Sequence, residues 1–293
     1  MKFDSYHPAI NFIFFVAVIV ATICFTHPVF LAISFIAAFV YSIKLNGVRA
    51  LIFNIVLIVL IAAFACFYAY YTHFGVTNLH MNFAGNQITL ESLVFGFVFA
   101  TIVATVLMWL SCMHAIISSD KVVYLFGRIS PKLSLFLSIL LRMVPRIKER
   151  SRVINTGRKC IGRGGGQGAV PRRFLNWVRR SSILITWTSE SLVESSRSMR
   201  SRGYSLKGRT AFSIYRFDNR DRSFVIFLFI CIAFVLMAIL FNQTRIVYDP
   251  MIIMNRITAF SIVFYLAYAA FCFAPLALQL VGELRFEMLR KTA

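Results

Sequence analysis

Two short triplets hold the side chains best placed to do chemistry, Gly162-Arg163-Gly164 and Ser201-Arg202-Gly203, 39 residues apart. A guanidinium group presents five donors in a rigid fork that suits carboxylates and helix-end carbonyls. Glycine beside it lets a partner's backbone come close, and it can take the left-handed conformation that ends a helix. The chemistry these types offer is recognition rather than bond breaking. With 14 glycines and 23 arginines in 293 residues, about one Arg-Gly pair is expected by chance, so position carries the meaning. Both triplets fall where a long amphipathic helix should end, and an arginine there also sits well against the negative end of the helix dipole.

Other constellations lead to less. The chain has no G-x-x-x-x-G-K-[ST], so ATP bound through a Walker loop is not expected on it. The stretch GRGGGQG has glycines at 164, 166 and 168, the wrong spacing for G-x-G-x-x-G, and no strand is foreseen before it, so it reads as a linker. His7, His27, His73, His80 and His114 are dispersed. His73 and His80 share a loop but lack a third ligand, and no metal site is expected. The six cysteines form no C-x-x-C pair and lie mostly in apolar runs, where they read as packing residues. Glu91 and Asp120 read as interfacial, and neither paired carboxylates nor H-E-x-x-H occurs within an apolar run. Enzymatic activity is therefore not expected of this chain.

The elements that must position the arginines are two helices. From residue 131 to about 162, Phe136, Leu140, Met143, Ile147, Ile154 and Ile161 recur at steps of three, four or their sum. Pro145 is expected to kink this helix or divide it. A second helix is predicted from Pro171 to Arg202, with Phe174, Trp177, Val178, Ser181, Leu184, Thr188, Leu192 and Met199 along one stripe. Arg172, Arg173, Arg179, Arg180, Arg197 and Arg200 flank it. Such a basic, aromatic face suits anionic lipid headgroups beneath a membrane better than nucleic acid.

The rest of the chain is a membrane protein by composition. Apolar residues make up 59% of it, charged residues 14%, and phenylalanine alone occurs 31 times. Runs long enough for a bilayer lie at about 9–25, 29–43, 50–71, 90–117, 224–241 and 252–281, the second short enough to be a tilted or incomplete crossing. The first run is read as a permanent span rather than a cleaved leader. Residues 118–222 hold 23 of the 31 Lys and Arg and 6 of the 11 Asp and Glu, a net +17, leaving +3 for the remainder. The positive-inside bias then places the N-terminus, this block and the C-terminal tail in the cytoplasm, with the 72–89 loop outside. The expected organisation is residues 1–117 as N-terminal spans, 118–222 as a basic cytoplasmic region and 223–293 as C-terminal spans with a short tail. The fold class is an all-α integral membrane protein of about six transmembrane helices plus a pair of long amphipathic helices.

This order resembles the transmembrane T component of energy-coupling factor (ECF) transporters, the EcfT/CbiQ-like proteins. ESLVESSRSMRSRGYSLKGRT is similar to that family's second coupling-helix signature and VINTGRKCIGRG to its first. Gly162 and Ser201 stand where the family has alanine, and FDSYHPAINF lacks the basic residue of its Asp-Pro-Arg entry. The resemblance implies a scaffold between two cytosolic ATP-binding cassette ATPases and a membrane-embedded substrate-binding S component, for uptake of a vitamin or transition-metal ion. It implies that Arg163, Gly164, Arg202 and Gly203 dock the ATPases. The faces carrying Phe136, Leu140, Met143 and Ile147, and Trp177, Leu184, Leu192 and Met199, would cradle the S component. ATP and magnesium would sit on the ATPases, and no cofactor on this chain. A stand-alone secondary transporter or channel is the alternative; it calls for polar residues facing inward at mid-span and for repeat symmetry, and the sequence displays neither.

Overall fold

The computed structural model describes residues 3–72, 75–81, 87–164, 166, 170–204, 206, 215, 217–244, 246–248, 252–253 and 258–292. The chain divides into two compact units, one formed by Met1–Ser118 with Tyr215–Ala293 and the other by Ser119–Ile214.

The first unit is built from α1 (Pro8–Cys24), α2 (Pro28–Asn46), α3 (Val48–Tyr71), α4 (Leu90–Ile116), α8 (Asn219–Leu240) and α9 (Ala259–Thr292). Two of these begin alike. His7-Pro8 and His27-Pro28 each place proline in the first turn, where its missing N–H costs nothing, and each imidazole Nδ1 accepts the N–H two residues on, at 3.3 Å. Gly47, in the left-handed region at φ 62°, separates α2 from α3. The loop after α3 contains a feature not foreseen, the antiparallel pair β1 (Asn78–Met81) and β2 (Gln87–Thr89). Both carboxylate oxygens of Glu91 accept the Thr77 N–H at 3.3 Å and fasten this loop to the start of α4.

The α8 start is a capping box, in which the Asp218 and Asp221 side chains each accept a backbone N–H from the other's end of the first turn. Asp221 does more. It is buried, and while its Oδ2 accepts the Asp218 N–H at 3.1 Å, its Oδ1 accepts the His7 N–H at 3.4 Å. One carboxylate therefore holds the beginnings of α1 and α8, 214 residues apart in the chain.

Aromatic rings fill the centre of this unit. Trp109 of α4 packs near Phe14 and Phe15 of α1 and Tyr41 of α2, and Phe14 meets the tilted ring of Phe271 of α9 at 5.3 Å. Trp109 is wholly buried because its Nε1–H has a partner, donating to Ser34 Oγ at 3.0 Å, and Ser34 shares a 2.9 Å hydrogen bond with Thr22. The outward faces are apolar as well: Ile52, Val56, Val59 and Phe67 of α3 are all exposed. Exposed oil on this scale is what hydrocarbon, not water, would solvate.

Among the described residues five helices, α2, α3, α4, α8 and α9, are long and apolar enough to cross a membrane. The expected weak second crossing is the 19-residue α2; the shorter apolar helix is α1, with 17 residues. The last apolar helix starts at Ala259 rather than 252 and runs on to Thr292.

Among the described residues the second unit contains three helices, not two: α5 (Ser119–Ile129), α6 (Pro131–Cys160) and α7 (Val170–Ser201). Pro145 does not divide α6, which continues through it over 30 residues.

Candidate functional site at the ends of two long helices

Each long helix of the second unit closes on a left-handed glycine, but the two triplets are out of register. α6 ends on Gly162, φ 69°, whose N–H donates to Lys159 O at 3.1 Å while the Arg163 N–H reaches back to Arg158 O at 2.9 Å. α7 ends on Gly203, φ 77°, with the Gly203 N–H on Arg200 O at 3.1 Å and the Tyr204 N–H on Met199 O at 3.2 Å. Both are the six-to-one closure that consumes a terminal carbonyl. The sequence pattern predicts the capping glycine after the arginine in both triplets. In α6 it comes before, so Arg163 lies one residue beyond the cap, whereas Arg202 lies one residue before it. Gly162 rather than Gly164 does the capping, because a glycine stands on either side of Arg163 and only the backbone closure distinguishes them.

Both arginines are exposed, and among the described residues neither guanidinium makes a side-chain hydrogen bond or an ion pair. Their backbones are held. Arg158 donates through Nε to Arg163 O at 3.3 Å and through Nη2 to Asn176 Oδ1 at 3.2 Å, and Asn176 Nδ2 donates to Gly164 O at 3.4 Å. Gly164 is thereby buried against the start of α7. Sequence reasoning misses Arg158 and Asn176. A polar residue that ties two helices leaves no periodic trace, and Arg158 merges with the surrounding basic residues.

The contact between α6 and α7 is made largely by such polar groups. Arg150 stacks 4.9 Å above the Trp187 ring and donates to its carbonyl oxygen at 3.2 Å, and Arg180 donates to Ser151 Oγ. The predicted stripe of α7 is only partly covered, with Ser181 and Thr188 half-buried. Phe174 and Trp177 are 67% and 59% exposed and stack on each other at 6.3 Å, and Val178 and Leu192 are exposed too. On α6, Phe136 and Leu140 are exposed, Ile147 is half-buried and Met143 is buried. Leu184 and Met199 of α7 are half-buried. From Val170 to Ser189 the helix has four arginines and no acidic residue, so the apolar face is bordered by positive charge alone.

Among the described residues no three His, Cys, Asp or Glu side chains gather as a metal site. His73 and the side chain of His80 lie outside the described residues, as do Gly165, Gln167 and Gly168 of the linker. Cys112, Cys231 and Cys272 are buried packing residues, while Cys24, Cys66 and Cys160 are exposed. The first unit adds two inward polar groups near helix starts rather than at mid-span. Asn11 and Asn54 lie inside α1 and α3 with no exposure, and among the described residues their side-chain amides have no hydrogen-bond partner. Inward polar groups are thus present in the apolar helices. Asparagine among leucines and phenylalanines carries no signal of which way it faces unless the helix has a clear apolar moment, and these helices are apolar all round.

Compared with known proteins, the chain matches no family model and no curated relative.

Proposed function

We propose that this protein is the transmembrane scaffold of an energy-coupling factor importer for a vitamin or transition-metal ion. The supporting observation is the pair of helices of 30 and 32 residues, each closed on a left-handed glycine beside an exposed arginine, Arg163 and Arg202. On this reading two cytosolic ATPases, carrying ATP and magnesium, grip these ends through Arg163, Gly164, Arg202 and Gly203. The outward apolar faces around Phe136, Leu140, Trp177 and Leu192 receive the S component, with anionic headgroups along the flanking arginines. The termini and the basic unit are cytoplasmic, six helices cross the membrane, and the chain itself is not an enzyme. Guanidinium forks suit this role because they stay charged and engage carboxylates or carbonyls at two points.

The test is Arg163→Ala with Arg202→Ala. The variant should insert in the membrane and fold, yet lose stable co-purification with the ATPases and substrate uptake. Full uptake with an intact complex would refute the reading. A stand-alone transporter or channel is the second reading, and the buried Asn11 and Asn54, near the starts of α1 and α3, are the polar groups that would serve it. Under that reading Asn11→Leu would abolish transport by the purified chain in vesicles without ATP, whereas the scaffold reading expects no such transport at all.

A further inference from the structure

Four polar side chains of the first unit are shut away from solvent and lack partners. Asn11 of α1, Ser42 of α2 and Asn54 of α3 have no exposure, and Tyr41 of α2 has 1%. Among the described residues neither amide atom of either asparagine is hydrogen-bonded, and neither hydroxyl is. The helices bring these groups to one level. α3 and α4 run antiparallel, with Phe64 on Phe99 at 6.0 Å and Tyr68 on Phe95 at 5.5 Å, so Asn54, ten residues before Phe64, comes level with Trp109, ten residues after Phe99. α1 also runs against α4, because short turns reverse the chain from α1 to α2 and from α2 to α3. The Phe15 ring lies 6.3 Å from that of Trp109, which sets Asn11, one turn before Phe15, level with Cys112, nearly one turn beyond Trp109. Tyr41 lies 6.4 Å from the same indole and within electrostatic reach of Cys112. The Ser42 hydroxyl is beside the Cys112 thiol but not in hydrogen-bond geometry with it.

A buried donor or acceptor left unpaired bears its full desolvation cost, and the choice of ligand that removes this cost is narrow. No lipid or protein segment reaches side chains that have no exposure. A cation would pair the two Oδ1 atoms and leave both Nδ2 groups without an acceptor, and an anion would do the reverse. Water both donates and accepts, and it is small enough for a closed interior. The other buried polar group of this unit provides the contrast. Ser34 there bonds to Thr22 at 2.9 Å and to the Trp109 indole at 3.0 Å, and Thr22 meets the Tyr268 hydroxyl at 3.5 Å, so these side chains satisfy one another without a ligand.

We propose that Asn11, Tyr41, Ser42 and Asn54 hold ordered water molecules, a hydrated layer across this end of the first unit. The layer is independent of the partners proposed above. X-ray radiolysis of the purified full-length protein in nanodiscs reads it, because hydroxyl radicals formed from bound water mark the side chains that the water touches, and mass spectrometry locates the marks. Tyr41 and Cys112 should be marked in spite of their burial, whereas Tyr268 and Cys272, buried as deeply, should not. Asn11→Leu combined with Asn54→Leu removes the amide donors and acceptors at similar volume and should lose the marks on Tyr41 and Cys112. Unmarked Tyr41 and Cys112 in the unaltered protein would show a dry interior and overturn the proposal, whether or not the variant folds. Marks of equal strength on all four side chains, or marks on Tyr41 and Cys112 that persist in the folded double variant, would overturn it too.

Discussion

Replacing Gly162 with alanine tests which residue closes α6, and with it where Arg163 is presented. At φ 69° an L residue pays roughly 1–2 kcal/mol against the right-handed region, while the stiffer unfolded chain returns about 0.4–1 kcal/mol. A Cβ at this position would meet nothing within 4 Å, so no steric term adds to the difference. The net cost is about 1 kcal/mol, confined to the helix end, which corresponds to about a fivefold rise in local opening. Hydrogen exchange on the intact protein reads this directly. The Gly162 and Arg163 amides, which donate to Lys159 and Arg158 carbonyls, should exchange about fivefold faster, while amides in mid-α6 stay unchanged. At α7, Gly203→Ala should cost somewhat more, because its Cβ would lie 3.2 Å from Leu206 Cδ1. If Gly162→Ala leaves exchange unaltered and Gly164→Ala accelerates it, α6 closes two residues further on and the register assigned to Arg163 is refuted.

Other outcomes follow from the first unit. Trp109→Phe removes the hydrogen bond to Ser34 and part of a fully buried ring, and should cost about 2 kcal/mol in detergent-solubilised stability; coupling to Ser34→Ala of about 1 kcal/mol in a double-mutant cycle would assign the bond, and strict additivity would deny it. His27 caps α2 through an Nδ1 lone pair, and burial lowers its pKa from 6.5. Its contribution is thus complete above the unfolded value of 6.5 and falls away as pH drops through the lower folded value, so thermal stability should decline with acidification in this window, and less so in His27→Asn, which can cap without titrating. Lys44 and Glu283 form a 2.6 Å ion pair, but their side chains are 36% and 47% exposed; Lys44→Met should change stability by less than about 1 kcal/mol, and a larger loss would mean that the pair is shielded from solvent.

The long apolar helices are legible in the sequence because length and hydropathy suffice to mark them, and the periodicity at Phe136, Leu140 and Met143 marks α6 unaided. Local detail escapes for particular reasons. Pro145 predicts a kink or a division by its type alone, and of these the division does not occur, α6 running on through it over 30 residues. The 72–89 stretch reads as loop because strands of four and three residues are too short to show alternation. For the arginine site, the residue types are visible but not the register, since Gly162 and Gly164 are equivalent until a backbone hydrogen bond selects one. The faces are visible too, but not what they face: an apolar stripe suggests burial, whereas α7 spends Asn176, Arg180 and Trp187 on α6 and leaves Phe174 and Trp177 outside.

The dual role of Asp221 constrains biogenesis. The amide at His7 emerges from the ribosome first, yet its acceptor arrives 214 positions later, a delay of roughly 10–40 s at ordinary elongation rates. Throughout that interval α1 cannot be latched, and the latch closes only when the whole basic segment has been translated. Truncated products that stop before Asn219 should therefore retain a loose α1, open to proteolysis at its entry.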